Sequence, residues 1–169
     1  MNSVNGVLFD SCAVSYWYGE VEQFRDALHK AFQVIRKEKL DLYISVITKQ
    51  ELLAYPQSLE QIEQLENFIK EHFNVLDFLE EPANAAAKYQ RQHPIGRVKP
   101  KSEGRLLADI WFRDAAIAGT AIHYQMPLIV TADIEFSERL SAYGKYVGQI
   151  ELLRATKIVT TEPSPQLPA

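Results

Sequence analysis

The sequence predicts a three-layer α/β/α sandwich with a mostly parallel central sheet. Short apolar runs bounded by turn residues alternate with amphipathic stretches, an order typical of a parallel sheet covered by helices. Ala and Gly dominate residues 115–121, a composition that lets a helix backbone approach its neighbour closely. The chain has 169 residues and is 47% hydrophobic, which is sufficient for the core of one domain.

The first half of the chain begins with an apolar strand predicted at residues 4–9. From Val21, apolar residues recur at helical spacing and predict an amphipathic helix. A second strand is predicted at residues 42–47 and a third at residues 75–79. Between them lies a second amphipathic helix over residues 58–73, because a serine followed three residues later by a glutamine is a capping signature.

The second half is predicted to continue with a helix that Pro82 opens, since proline is favoured in the first helical turn. Residues 113–121 belong to a further helix of small side chains. The run at residues 128–130 is short, apolar and rich in β-branched residues, which predicts a buried parallel strand. Residues 135–143 predict one more helix.

We interpret residues 1–150 as one domain and residues 151–169 as a C-terminal extension, an edge strand followed by a Pro-containing tail. No stretch is long and apolar enough to span a bilayer, and no basic-then-apolar export signal is visible. The single Cys12 cannot form an internal disulfide, which is typical of a reducing compartment. We therefore expect a cytoplasmic protein without membrane association. The net charge of −4 provides no overall attraction to nucleic acid.

Acidic residues stand where the predicted strands end. Asp10 follows the first strand directly, Glu51 comes one helical turn after the second, and Asp133 follows the strand at residues 128–130. Asp114 lies near the start of the helix that feeds this last strand. Because the carboxyl ends of parallel strands meet at one edge of the sheet, we expect these four acids to share a crevice.

Carboxylates that repel one another in a crevice either raise their pKa values or hold a cation. Oxygen donors without a partnered cysteine or histidine favour Mg²⁺, with Mn²⁺ as the alternative, over zinc. Such a metal supplies a hydroxide-like nucleophile and stabilises charge on a transferring phosphoryl group. The acids therefore predict metal-dependent hydrolysis of phosphodiesters, with no covalent enzyme intermediate.

Four stretches around these acids follow one another in a recognisable order. They are residues 8–11 (LFDS), 44–52 (ISVITKQEL), 114–121 (DAAIAGTA) and 130–133 (VTAD). Together they resemble the four motifs of PIN-domain ribonucleases, and most closely those of the VapC-type toxins of toxin–antitoxin pairs.

The resemblance implies that Asp10 and Asp114 are metal ligands and that Glu51 and Asp133 complete an acidic site. It also implies RNA as the substrate, a small antitoxin as the partner and a homodimer. We expect Ser11 and Thr131 to contact the substrate. The chain departs from the family pattern in having Cys12 and Ala132 where such proteins often carry asparagine.

A basic segment lies between residues 88 and 105, where glycines and prolines interrupt regular structure. We predict that Arg97, Lys99 and Lys101 in this segment contact the phosphates of the RNA. The alternative is a solvated loop with no ligand.

Each acid also has an ordinary structural interpretation. Asp10 can be a turn residue, and Asp133 can be the N-cap of the helix that follows it. Glu51 stands three residues after Thr48, a spacing that matches a capping box in which the glutamate only satisfies a backbone amide.

Asp109 competes with Asp114 for the place in the crevice. The two are five residues apart on one helix and point in directions that differ by about 140°. Asp109 is therefore expected to form a surface ion pair with Arg113 at i, i+4. A helix starting at Gly104 would put Asp114 about 15 Å along its axis, so we expect this helix to bend or to start late.

Two other functions remain open at this point. One is a binding or regulatory module that keeps the fold and the acidic pocket without turnover. The other is a phosphatase with Asp10 as nucleophile, which Cys12 disfavours because such sites usually carry a second acid there. For a protein partner, the helix faces around Phe24, Phe32, Phe68 and Phe73 are expected to leave apolar surface uncovered.

Overall fold

The computed structural model describes residues 5–56, 58–92, 104–126, 128–133 and 135–140, with the backbone alone for residues 104–110. The basic residues Arg97, Lys99 and Lys101 lie outside this part of the chain. The predicted C-terminal extension at residues 151–169 lies outside it as well.

A four-stranded parallel sheet forms the centre of the described structure. Its strands are β1 (Gly6–Phe9), β2 (Asp41–Ser45), β3 (Asn74–Leu76) and β4 (Leu128–Val130), in the spatial order β3-β2-β1-β4. The central strand β1 pairs with β2 through Leu8 and Tyr43 and with β4 through Leu8 and Ile129. The predicted α/β fold with a parallel sheet is confirmed.

Six helices connect these strands in the part of the chain that the structure describes, and residues 135–140 are helical as well. They are α1 (Ser11–Tyr18), α2 (Glu22–Glu38), α3 (Val46–Ala54), α4 (Leu59–His72), α5 (Glu80–Gln92) and α6 (Gly104–His123). Ser58 is the N-cap of α4, as its sequence signature predicts. The sequence did not predict α1, a short helix that Asp10 caps directly after β1.

The two faces of the sheet are covered by different helices, because neighbouring residues of a strand point to opposite sides. Val7, Phe9 and Val130 pack into one core with residues of α1, α2 and α4. Leu8 and Ile129 pack into a second core with residues of α5 and α6. The result is the three-layer sandwich that the alternating sequence pattern predicts.

The phenylalanines that were expected to leave apolar surface uncovered pack together instead. Their rings surround Trp17, with centroid distances of 4.7 Å to Phe32, 5.1 Å to Phe68 and 5.5 Å to Phe73. Phe24 stacks on Tyr16 at 3.9 Å. The expectation of a bare apolar face is therefore wrong, because the unpredicted helix α1 brings Tyr16 and Trp17 over it.

Helices α5 and α6 are in close contact at Gly119. A Cβ atom at this position would lie 2.5 Å from the carbonyl oxygen of Pro82 and 2.6 Å from Ala86 Cβ. The prediction that the small residues of this helix permit a close contact is thus confirmed. The expectation that α6 starts late is wrong, since it begins at Gly104. Within the described residues, none of the helices is both long and apolar enough to span a lipid bilayer.

Candidate active site

A cleft of about 260 Å³ opens at the carboxyl edge of the sheet. All four acids that the sequence singled out line it, together with Ser11, Cys12, Tyr55 and Arg113. They come from the ends of β1 and β4, from α3 and from α6. Strand ends and helix starts meet at this edge of a parallel sheet, so residues far apart in the chain converge there.

Asp10 is held in place through both of its carboxylate oxygens. Its Oδ1 accepts from the Ser11 backbone N–H at 2.7 Å, which caps α1. Its Oδ2 accepts from the Thr131 hydroxyl at 2.7 Å and from the Cys12 thiol at 3.1 Å. The Asp10 side chain thus joins the end of β1 to the end of β4 across the cleft floor.

The turn after β4 is built around Thr131 and Cys12. The Thr131 hydroxyl accepts from the Asp133 N–H at 3.0 Å, and the Cys12 sulfur accepts from the Ala132 N–H at 3.2 Å. Thr131 is 1% exposed. In this structure the hydroxyl holds Asp10, and its contact with a substrate stays a prediction.

Asp133 lines the cleft and also caps the helical segment at residues 135–140. Its Oδ1 accepts from the Phe136 N–H at 2.8 Å, and its carbonyl oxygen accepts from the Ser137 N–H at 3.0 Å. The two interpretations offered for this residue are therefore compatible. The N-cap uses Oδ1, and the residue still borders the cleft.

Glu51 lies inside α3 and does not cap it. Ser45 is the N-cap, and its hydroxyl accepts from the Thr48 N–H at 2.9 Å. The capping box of Thr48 with Glu51 is therefore wrong, because the helix starts three residues earlier than the sequence suggested. Glu51 Oε1 instead lies 3.1 Å from Arg113 Nη1. Arg113 therefore pairs with a residue of α3. The side chain of Asp109, the partner that the sequence predicted for Arg113, lies outside the described residues.

Asp114 lies on α6, ten residues after Gly104, and still lines the cleft. Its Oδ2 forms an ion pair with Arg139 Nη2. The Tyr89 side chain is fully buried and interacts electrostatically with Arg139 and Asp114. At about 1.5 Å per residue, the preceding turns of α6 extend roughly 15 Å away from the position of Asp114. The helix therefore reaches the site from its middle rather than from its N-terminus.

Burial raises the pKa values of three cleft carboxylates. Burial raises the pKa of Asp114 to about 7, with a further contribution from the charge of Asp133, while Arg139 acts in the opposite direction. Burial also raises the pKa of Asp10, although its three hydrogen bonds act to lower it. In the same way, burial raises the pKa of Glu51, although Ser11 and Arg113 act to lower it. The cleft thus disfavours the accumulation of negative charge when no cation is present.

The donor set of the cleft fits a hard divalent cation. All four acids offer oxygen, and Glu51 Oε2 is buried and accepts no hydrogen bond from the described residues. As the side chains stand, no three His, Cys, Asp or Glu of the described residues converge closely enough to hold an ion. Two of the four carboxylates point to arginines instead. Binding a cation therefore requires Glu51 and Asp114 to move from these partners.

Sequence reasoning missed the places of Tyr55, Arg113 and Arg139 in the site. Arg113 was expected to pair with Asp109 and pairs with Glu51 instead. Arg139 stands four residues after Glu135, a spacing that predicts only a surface pair, and that pair is present at 3.6 Å. Tyr55 follows Glu51 by four residues in α-helical geometry and so lies on the same face of α3. This spacing was a usable signal for Tyr55, whereas nothing local connects Arg139 with Asp114.

Comparison with known proteins identifies one family and several solved structures with a similar fold. The family model of the PIN domain matches residues 7–139. Among solved structures, the chain is similar to a toxin–antitoxin complex from Klebsiella pneumoniae, with 16% identity and a TM-score of 0.53 over 76% of this chain and 87% of the other. It is also similar to VapBC2 from Rickettsia felis bound to a DNA fragment from their promoter, with 16% identity and a TM-score of 0.55 over 78% and 91%. At this identity the similarity concerns the fold alone. None of the curated proteins matches the chain.

Proposed function

The chain belongs to the PIN domain family, and on this basis we propose that it is a divalent-metal-dependent endoribonuclease that hydrolyses RNA phosphodiesters. We further propose that it is the toxin of a toxin–antitoxin pair. A small antitoxin would then be its partner, and the cytoplasm, where RNA is available, would be its location.

One observation carries the proposal: four acids from distant parts of a PIN-family chain line a single cleft at the carboxyl edge of the sheet. Three of them have raised pKa values, so together they disfavour bare negative charge. A cation that binds them restores the ionised state of each group.

Asp10, Glu51, Asp114 and Asp133 would hold Mg²⁺ or Mn²⁺. A cation in such a place stabilises negative charge on phosphoryl oxygens and supplies a nucleophilic water-derived species. The chain itself contributes position: Thr131 and the Ser11 N–H fix the Asp10 carboxylate, and α3 presents Glu51 from the opposite wall. Ser11 lines the cleft and remains a candidate for substrate contact.

The first experiment tests RNA cleavage directly. The purified full chain is incubated with mixed RNA in Mg²⁺, in Mn²⁺ or in EDTA, beside the variants D114N and D109N. We expect cleavage with either metal, loss in EDTA and loss in D114N. D109N is the matched control on the same helix and should retain both cleavage and Mn²⁺ binding by calorimetry. The reverse order of the two variants would mean that the site has been placed five residues out of position.

The second experiment tests the role as a toxin. Expression of the chain alone should arrest growth, and co-expression of a small protein encoded beside it should relieve the arrest. The D10N variant should fold and leave growth unaffected. Normal growth with folded wild-type protein present would remove the toxin proposal while leaving the nuclease proposal to the cleavage assay. Size measurement of the same material tests the expected homodimer.

A catalytically silent PIN-fold module is the second candidate. The two arginine pairs favour it, because Arg113 and Arg139 occupy carboxylates that a cation would need. The absence of RNA cleavage by folded protein, with or without Mn²⁺ binding, would support this candidate. A phosphatase with Asp10 as nucleophile is disfavoured, since both carboxylate oxygens accept hydrogen bonds and the residue is 7% exposed.

A further inference from the structure

A groove of about 640 Å³ adjoins the acidic cleft, and the two share Tyr55. Its lining consists of polar and aromatic side chains over a floor of leucines: Ser15, Tyr18, Leu52, Tyr55, Pro56, Gln61, Gln64 and Leu65. The volume is in the range of sites that bind small ligands.

The groove continues the cleft along two helices. On α1, Ser11 borders the cleft while Ser15 and Tyr18 border the groove, at a spacing that puts all three on one helix face. On α3, Glu51 borders the cleft and Tyr55 borders both. A ligand that extends from the cleft along these faces therefore enters the groove.

The chemistry changes where the cleft passes into the groove. The cleft carries four carboxylates, whereas no Lys, Arg, Asp or Glu is found among the described residues that line the groove. The groove offers two amide side chains and the hydroxyl groups of a serine and two tyrosines, which can donate and accept hydrogen bonds. It also offers the rings of Tyr55 and Tyr18, which are 73% and 40% exposed.

We propose that this groove binds an unpaired RNA base next to the phosphate that is cleaved, with the base stacked on Tyr55. A nucleotide has a charged phosphate and an uncharged base with a flat face and a hydrogen-bonding edge, which is the same division as that between cleft and groove. Unpaired bases in RNA are recognised by stacking on aromatic side chains and by hydrogen bonds to their edges. Gln61 and Gln64 line the groove, and the Gln64 amide nitrogen donates to Glu60 Oε1 at 3.3 Å, which leaves its carbonyl oxygen as an acceptor for such an edge. The proposal rests on the proposed RNA-cleaving function.

A helix of a protein partner suits the groove less well. Such a helix needs exposed apolar side chains to pack against, but the leucines of the floor, Leu52 and Leu65, are only 4% and 6% exposed. The exposed part of the lining is aromatic and amide-bearing, which favours a flat polar ligand.

Binding of short RNA tests the proposal. Labelled single-stranded RNA 8-mers of A, C, G or U, with Ca²⁺ as the cation, are titrated with the full chain. Base–aromatic stacking predicts that Tyr55→Ala weakens binding of the preferred 8-mer by about 5- to 150-fold. Tyr55→Phe keeps the ring and should retain affinity, whereas Tyr55→Leu keeps the apolar bulk without the ring and should not. Leu59→Ala is the control, because Leu59 is 81% exposed on α4, the helix that carries Gln61 and Gln64, and does not line the groove.

An abasic scan of the same 8-mer locates the base. At one position, removing the base should weaken wild-type binding, and Tyr55→Ala should then add no further loss. Thermal unfolding checks that each variant is folded. Equal affinity of Tyr55→Ala and wild type would overturn the proposal, as would a loss that persists on every abasic 8-mer. The same is true if Tyr55→Ala impairs only the binding of a protein partner.

The outcomes separate this inference from the proposed function. If RNA is bound through Tyr55 but is never cleaved in Mg²⁺, the nuclease proposal is contradicted and the proposal of a base-binding groove is supported. Cleavage with a KM that does not respond to Tyr55→Ala would support the nuclease and contradict the groove. If the wild-type chain binds none of the 8-mers, the groove proposal is wrong, and the cleavage assay with mixed RNA alone decides the nuclease proposal.

Discussion

Arg139 and Asp114 are 25 residues apart in the chain and form an ion pair at the edge of the acidic cleft, with Arg139 Nη2 2.5 Å from Asp114 Oδ2. The arginine belongs to the helical segment after β4, and the aspartate belongs to α6. The positive charge therefore compensates one of the carboxylates that we propose as metal ligands, at the place where a cation would bind.

The Arg139→Gln variant should bind Mn²⁺ more tightly than the wild type. Unit charges 4 Å apart interact by about 4 kcal/mol at an effective dielectric constant of 20. Because the Arg139 side chain is 27% exposed, we expect a smaller effect, about tenfold in Kd by calorimetry. The exposed Arg25→Gln is the control, since Arg25 lies on α2 away from the cleft. Weaker Mn²⁺ binding would show instead that Arg139 orients Asp114 for the metal.

The Glu51→Gln variant separates a ligand from a structural side chain. The substitution keeps the size of the residue and removes a charge whose pKa burial raises, so metal-free stability at pH 8 should stay level or increase. Cleavage should fall by about 100-fold or more, a loss at the upper end for groups that support a metal site. Glu63→Gln, exposed on α4, should change neither property. Reduced stability with intact cleavage would contradict the assignment of Glu51.

The stability of the metal-free protein should depend on pH through Asp114. Its pKa is about 7 when folded, against a reference value of 3.8, so between these values the folded state binds more protons than the unfolded state. The free energy of unfolding therefore decreases as pH rises from about 4 to 7, by on the order of 4 kcal/mol from this residue. Denaturant unfolding in EDTA measures the slope.

The Asp114→Asn variant provides the comparison for this pH dependence, because it cannot ionise at this position. Its unfolding free energy should decrease less over the same pH interval. Some slope should remain, since burial also raises the pKa values of Asp10 and Glu51. Identical slopes for variant and wild type would mean that Asp114 is already ionised in the folded protein at low pH.

The basic residues Arg97, Lys99 and Lys101 remain a prediction from sequence. If they contact phosphates, the triple alanine variant should bind RNA of every sequence more weakly. The slope of log K against log salt should become shallower by about 0.7 per lost contact on a single strand. The catalytic rate at saturating RNA should hold. An unchanged slope would mean that these residues do not contact RNA and that the segment is a solvated loop.

Local sequence patterns were sufficient for the sheet and for the placement of the acids. Alternating side-chain direction in Val7, Leu8 and Phe9 and the apolar run of β4 are short-range features, and strand ends of a parallel sheet converge by geometry alone. The sequence alone was therefore sufficient to predict that the four acids line one cleft. Their roles as ligands remain a prediction.

Contacts between distant residues could not be predicted in the same way. The pairs Arg139–Asp114 and Arg113–Glu51 depend on how helices pack across the sheet, which no single stretch encodes. Helix α1 was missed because its aromatic residues are consecutive in the sequence and do not form an amphipathic helical pattern. That omission also led to the wrong expectation for the phenylalanines, since α1 supplies the Trp17 that they pack around.

The position of Cys12 makes its thiol a chemical probe of the floor of the cleft. Its sulfur contacts Asp10, Thr131 and the Ala132 N–H, and burial raises the pKa of the thiol well above its usual range. Alkylating reagents attack the thiolate, so this side chain reacts slowly as long as β1 and β4 hold the cleft floor together. The chain contains one cysteine, so each molecule takes up one label. The alkylation rate should rise when the contacts of Cys12 at the floor of the cleft loosen, and an ion bound in the cleft should lower it.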